Sequence, residues 1–404
     1  MHAAIPRLPV LDWQTFSGAK NSGTACLLDL PESRYTNSGR ASILLALEML
    51  EISAGDRVLV PTYHCPTMIA PISLRGALPF FYPLNPDGSP DLAWIESQDL
   101  TGVRAVLAAH FFGLPQPLGT LRTWCTQKRI YLIEDCAHSL FGSSDGKPVG
   151  SWGDLAIASL TKFLPVPEGG CLVNNNPSAA KSKKSLRAPG LKSEIKAAFD
   201  ILHTGIHHGR LKGLALPFEL VLRGMRRLRG QSGARSEFQA EASQEEKSPA
   251  QEAYDIDLGM SHQELTAACR WVAQGAPRER IVAGRRTQYA FFTAAFAGAA
   301  EFHPLIPVLP NDCAPYVFPL WVNDPDPGYF KLRRLGLPVS RWDRLWPGVP
   351  HIDGDHGRAW SHHILQLACH QDLTPDELQR MVTLVKNVYA PTTRTKNASS
   401  EGEA

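Results

Sequence analysis

Six short apolar runs recur between residues 57 and 174: "RVLVP", "LPFFYP", "RAVLAAH", "IYLIED", "DLAIASL" and "GGCLVNN". Most lack the polar alternation of a half-solvated strand, so they read as strands buried on both faces, separated by helix-compatible segments. This alternation constrains the chain more than any other feature. It predicts an α/β fold with a mostly parallel sheet sandwiched by helices. Ligands of such sheets sit beyond the carboxyl ends of the strands, marked here by Pro61, His110, Asp135 and the stretch Ser159 to Lys162.

The rest of the chain is read around that sheet. Ahead of it, "SGRASILLALEMLEI" sets Ile43, Leu44, Ala46, Leu47 and Leu50 at helical spacing behind the start signals Asn37, Ser38 and Gly39. We expect a large domain over 1–277, a smaller C-terminal α+β domain over 278–391 and a disordered tail over 392–404. "MSHQELTAACRWVAQ" reads as one buried helix, and "APYVFPLWV" and "TPDELQRMVTLVKNVY" as parts of the small domain. Inside the large domain, 191–230 is a helical insertion rich in His, Lys and Arg, and 231–252 reads as a mobile polar loop. Within "LPFELVLRGMRRLRG", Phe218, Val221, Leu222, Met225 and Leu228 share a face and Arg223, Arg226, Arg227 and Arg229 crowd the remainder. Two readings stay open for 195–230: a helix packed over its own domain, or a peripheral contact with an anionic membrane.

Charge and cysteine usage narrow the function classes. A formal net charge of +2 over 404 residues gives no global field for nucleic acid. The eight cysteines stand singly, with no C-x-x-C pair and no histidine at zinc-finger spacing, which points to a reducing compartment and no metal. The N-terminus lacks a basic start followed by an apolar stretch, and no apolar run approaches membrane-spanning length, so the expected location is cytoplasmic.

"SLTKFLPVPEGG" places Lys162 where a strand stops, flanked by Leu160, Phe163 and Leu164 and without an acidic neighbour until Glu168. An amine in apolar surroundings is pushed towards its neutral form, which attacks carbonyl carbons. The usual partner of such a lysine is pyridoxal phosphate, which needs an anion facing its pyridine nitrogen and a donor-rich pocket for its phosphate. "YLIEDCAHS" offers Asp135 at a strand end, although an aspartate there equally suits a turn or helix cap. "NSGRAS" offers a glycine at a helix start, where free N–H groups favour an anion, as at any capped helix.

Taken in order, "SGRAS", "GDRVLVP", "HFFG", "EDCAH", "GDLAIAS" and "TKFLPVPEGG" resemble the motifs of the DegT/StrS-type pyridoxal-phosphate-dependent sugar aminotransferases, within fold type I. The resemblance covers roughly residues 35–175 and the C-terminal part more loosely. It implies that Lys162 is the Schiff-base lysine and Asp135 the partner of the pyridine nitrogen, with His138 beside the ring and Ser159, Ser38, Gly39 and Arg40 around the phosphate. It further implies transfer of an amino group from glutamate or glutamine to a keto-sugar nucleotide, for surface polysaccharide or glycoconjugate synthesis, by a homodimer. Two alternatives stay open: the same cofactor acting on a small non-sugar ketone or amino acid, and a non-catalytic sensor or scaffold.

The chain departs from the family pattern in several places. Asp154 to Lys162 is two residues shorter than expected, so the Ser159 match requires a gap. Where the family often sets an aromatic ring over the cofactor, "PTYHCPT" offers Tyr63, His64 or Cys65, of which His64 is expected to stack, with a satisfied structural histidine as the open alternative. An asparagine and an arginine that reach the neighbouring subunit's phosphate are replaced by Asp257 and Gly259. In the C-terminal domain, "SRWDRLWP" puts Arg341 and Trp342, with His110 of the large domain, forward as substrate contacts. Arg40, where the family has threonine, is expected either to replace the missing charge on the cofactor phosphate or on a substrate diphosphate, or to point outward to solvent with the backbone sufficing.

Overall fold

The computed structural model describes residues 4–19, 23–178, 185–228 and 258–389. The expected polar loop at 231–252, the tail from 392, Asp257 and Arg229 lie outside these residues, as do the side chains of 221, 222 and 224–228. The first half alternates β1 (Ser33–Thr36), α1 (Gly39–Met49), β2 (Arg57–Pro61), α2 (Pro66–Leu74), β3 (Leu78–Tyr82), α3 (Leu92–Glu96), β4 (Val103–Ala109), α4 (Gly119–Lys128) and β5 (Tyr131–Asp135). A two-stranded pair, β6 (Ser143–Ser144) and β7 (Lys147–Pro148), precedes β8 (Leu155–Ser159) and β9 (Gly170–Asn174). The large sheet has the order β1-β9-β8-β5-β4-β2-β3. Strands β8, β5, β4, β2 and β3 run parallel, while β9 is antiparallel to both its neighbours.

All six apolar runs are strands of this sheet. The seventh strand, β1, reads "SRYT", whose polar composition hides it; its pairing with β9 gives it away only in three dimensions. Helix α1 is enclosed on every side, with Ala41 to Met49 all buried. Its two buried polar residues are satisfied: Ser42 Oγ lies 2.7 Å from Thr36 Oγ1, and Glu48 accepts from His262 at 2.8 Å.

Helices α5 (Leu191–His207) and α6 (Ala215–Leu228) follow, then α7 (Leu258–Ser261) and α8 (Ala267–Gly275). The stretch expected as one helix over 260–274 is thus broken at 262–266. Glu168 accepts both the N–H and the hydroxyl of Thr266, and Gln263 O accepts from Asn37 N–H, which holds this segment extended against the large sheet.

Helix α9 (Arg278–Phe296) leads into a second, antiparallel sheet of order β10-β11-β13-β12, made of Phe302–Pro304, Val317–Val322, Ile364–Ala368 and Val339–Ser340. Helices α10 (Gly328–Arg334), α11 (His356–His363) and α12 (Pro375–Tyr389) belong to this half. Ile5 joins its apolar core, and His370 and Asp372 bind the backbone of Pro6 and Val10. The chain's described start therefore packs on the second sheet rather than on the first. Among the described residues, no helix is long and apolar enough to cross a membrane.

Candidate active site

Three strand ends and one helix start converge on a cavity of about 450 Å³. His110 follows β4, Asp135 closes β5, Ser159 closes β8, and the 3-10 turn Leu160–Lys162 carries the lysine to the wall. The crossover connections put these ends on one edge of the sheet, so residues far apart in sequence share one space.

Lys162 Nζ lies 5.3 Å from the ring centre of Tyr316. Burial pushes its ammonium below the ordinary lysine value, and the Asp135 carboxylate partly opposes that. Burial likewise pushes the Asp135 carboxyl up, while Lys162 and the Ala137 N–H, 2.8 Å from Oδ1, pull it back. The turn that carries the lysine is clamped from the second half of the molecule. Arg285, fully buried on α9, donates to Lys162 O at 2.7 Å and to the carbonyls of Pro315, Tyr316 and Cys369, and Gln371 donates to Phe163 O.

The helix start supplies donors. Ser38 Oγ accepts from the orphan N–H of Ala41, and Ser38 O takes the first intrahelical bond, from Ser42 N–H. The N–H groups of Gly39 and Arg40 have no protein partner among the described residues, and both residues line the cavity together with Ser38 and Ser159. A Cβ on Gly39 would stand only 3.3 Å from Ser159 Cβ, so glycine is what lets the helix start lie against the end of β8. Ser159 Oγ is 3.3 Å from Thr161 Oγ1.

His138 also lines the cavity, packed between Tyr316 at 4.5 Å and Trp342 at 4.9 Å. Its Nδ1 is buried without a hydrogen-bond partner among the described residues, and burial, then Lys162, hold the ring far below the ordinary histidine value. A buried amine, a buried carboxylate, an open helix N-terminus and an unpartnered imidazole nitrogen around one cavity fit pyridoxal phosphate.

Two expected residues, His64 and Arg341, stand outside the cavity, and a third, His110, lines it with both ring nitrogens engaged. His64 is fully buried: Nδ1 lies 3.0 Å from Pro61 O, Nε2 accepts from Trp346 N–H at 3.0 Å, and the ring stacks on Phe81. With its nitrogens bonded and its ring against Phe81, His64 does not line the cavity, whereas Cys65 does. Arg341 is turned into ion pairs with Asp343 at 2.6 Å and Asp326 at 3.2 Å, over the Tyr329 ring, so Trp342 alone of that pair reaches the cavity. His110 lies at the wall, but Nε2 meets Glu134 at 2.9 Å and Nδ1 accepts from Gln116 N–H at 2.8 Å, which leaves its ring a positioning element. Glu134 in turn accepts from the N–H groups of Gly150, Trp152 and Gly153. Its grouping with His110 and Cys136, tight enough to suggest a cation, is thereby explained by hydrogen bonds.

Tyr316, Arg285 and Arg7 were not found from sequence. Arg7 is exposed, yet bears electrostatically on both Lys162 and Tyr316. No local pattern marks any of the three, because each reaches the site from the other half of the fold.

Residues 31–215 match the DegT/DnrJ/EryC1/StrS aminotransferase family. The chain is 30% identical over 152 residues to the GDP-perosamine synthase of Vibrio cholerae, covering 37% of this chain and 41% of that one. It is 30% identical over 169 residues to the dTDP-4-dehydro-2,3,6-trideoxy-D-glucose 4-aminotransferase of Saccharopolyspora spinosa, covering 41% and 43%. These matches span well under half the length of those relatives. In three dimensions the chain is similar to Helicobacter pylori PseC, an aminotransferase involved in the biosynthesis of pseudoaminic acid, with a TM-score of 0.64, 13% identity and coverage of 96% and 99%. At that identity the comparison establishes the fold, that of the fold type I aminotransferases. Over its residues 31–215 this chain is similar to the DegT/DnrJ/EryC1/StrS aminotransferase family.

Proposed function

We propose that this chain is a pyridoxal-phosphate-dependent aminotransferase that moves an amino group from glutamate or glutamine to the ketone of a nucleotide-linked sugar. The observation that carries the reading is the meeting of Lys162 and Asp135 with the start of α1 in one cavity. The substrate class is supported by the names of the relatives, one acting towards a GDP-linked and one on a dTDP-linked sugar.

In this reading Lys162 holds the cofactor's aldehyde carbon, Asp135 its pyridine nitrogen, and the N–H groups of Gly39 and Arg40 with Ser159 its phosphate. When bound, the cofactor supplies an electron sink for the substrate's carbon–hydrogen bond. Burial keeps a larger fraction of Lys162 Nζ neutral than in water, so this nitrogen can accept a proton and return it at a neighbouring carbon. Arg285 fixes the peptide of Lys162 and so limits where that nitrogen travels. Trp342 and Phe111 at the cavity wall exclude water from it. A homodimer and a cytoplasmic location belong to the same reading, the latter supported by eight cysteines that are all free thiols.

Borohydride reduction of the purified protein followed by peptide mapping tests the anchor: the pyridoxyl group is expected on Lys162, and its appearance on another lysine would overturn the site. Loss of visible colour on adding glutamate or glutamine, then its return with a keto-sugar nucleotide, tests the transfer. Colour that no amino donor bleaches would point to the sensor instead. Bleaching reversed only by small ketones would point to the non-sugar substrate.

A further inference from the structure

The insertion after the large sheet carries features that the site does not use. Helix α5 buries Ala197, Ile201 and Gly205 against the body of the protein, one residue per turn. On a neighbouring arc of the same helix Leu191, 75% exposed, Ile195 and Leu202 point to solvent at helical spacing. Helix α6 packs on α5 by stacking Phe218 on Phe199 with ring centres 5.2 Å apart. That contact leaves Leu216 and Leu220 on α6, 77% and 67% exposed. Two adjacent helices thus each present leucine-type side chains to water, four or more residues apart and unpartnered among the described residues.

The apolar surface continues beside them. Trp13, 61% exposed, donates its indole N–H to Lys212 O in the α5–α6 connection, and Phe16 packs on the exposed Trp271 at 4.6 Å. Tryptophan with an apolar body and one satisfied donor is the side chain that settles at a membrane–water boundary.

Charge separates the two occupants that such a surface could take. Residues 185–228 carry eight lysines and arginines against three acidic residues, a net of +5, while the whole chain has only +2. Lys196, Arg210 and Arg223 are paired with Asp200, Glu377 and Glu219. Lys192 and Lys212 are exposed with no partner among the described residues. A second copy docking here would bring two such positive segments together, whereas an anionic bilayer would pair with them.

We propose that the α5–α6 hairpin, with Trp13, is a peripheral docking surface for an anionic lipid bilayer. The exposed leucines and tryptophan enter the headgroup boundary and Lys192 and Lys212 meet lipid phosphates. The inference does not depend on the aminotransferase reading, and all of the residues it uses lie outside the cavity.

Flotation of the full-length holoprotein with phosphatidylcholine vesicles containing roughly one third phosphatidylglycerol tests it, at low and at high salt. Wild type is expected to float with these vesicles, to remain behind with pure phosphatidylcholine, and to be released by salt. Leu216→Gln/Leu220→Gln and, separately, Lys192→Glu/Lys212→Glu are each expected to lower the bound fraction by about tenfold or more, with cofactor colour unchanged. Absence of flotation at low salt, or flotation that neither double variant weakens, overturns the proposal. So does sedimentation showing that Leu216→Gln/Leu220→Gln converts a dimer to monomers, since the surface would then belong to a second copy.

Discussion

The ends of β2 and β5 both lead into a buried histidine, and the two histidines differ in what is left over. His64, after β2, gives one nitrogen to Pro61 O and takes the Trp346 N–H on the other. His138, after β5, keeps Nδ1 buried and unpartnered at the cavity among the described residues. The same contrast separates two consecutive carboxylates. Glu134 is consumed by three backbone N–H groups and His110, while Asp135 turns to the cavity and Lys162. Burial and strand-end position alone do not identify a working residue. What distinguishes it is a hydrogen-bonding valence that the protein leaves unfilled, at a cost of about 1–3 kcal/mol for a neutral group.

The largest expected effect tests the open end. Lys162→Ala should lower transamination by at least about 10³-fold and abolish the covalent pyridoxyl adduct, as read by activity and by mass spectrometry after reduction. Asp135→Asn comes next. It should retain the cofactor but lose activity by about 10²-fold, and it should push Lys162 further down in pKa, because the carboxylate is what raises it. Full activity in that variant would dissolve the distinction between Asp135 and Glu134.

The closed residues should behave oppositely, costing stability rather than chemistry. Burial pushes Glu134 up, but His110 and the N–H groups of Gly150 and Gly153 outweigh it and hold the carboxyl below its ordinary value. Its contribution is therefore present above the unfolded carboxylate pKa and lost as pH falls through the folded one. Glu134→Gln should cost about 2–4 kcal/mol at neutral pH in denaturant titrations, a difference that shrinks in acid.

For His64, burial lowers the pKa to about 4. The unfolded chain takes up a proton first on acidification, so stability falls between about pH 6.5 and 4, by about 3 kcal/mol in all. His64→Gln should flatten that slope and leave cofactor loading unchanged; a fall in cofactor affinity would return His64 to the site. Smallest is Arg40→Thr, expected to weaken binding by about three- to tenfold. A change in cofactor affinity would assign the guanidinium to the cofactor phosphate, a change in substrate affinity alone to a diphosphate, and neither to solvent.

Much of the architecture follows from local pattern, because strands buried on both faces leave continuous apolar runs and their ends leave turn residues. On that basis the six runs, α1, Lys162 and Asp135 were all legible from sequence. Where the chain is polar but paired, pattern fails: "SRYT" is a strand because β9 offers it a partner, and 262–266 is extended because Glu168 and Asn37 hold it. The sequence by itself determined that a lysine, an aspartate and a glycine-led helix start lie at the same edge of one sheet. Only the tertiary structure decided which member of each neighbouring pair lines the cavity: Asp135 and not Glu134, Cys65 and not His64, Trp342 and not Arg341. Adjacent residues leave the backbone in different directions, and which direction meets the cavity depends on packing from the other half of the chain. Arg285 is the extreme case. An arginine on a helix reads as a solvated charge, and only the carbonyls of Lys162, Pro315 and Cys369 closing round it make it a buried clamp.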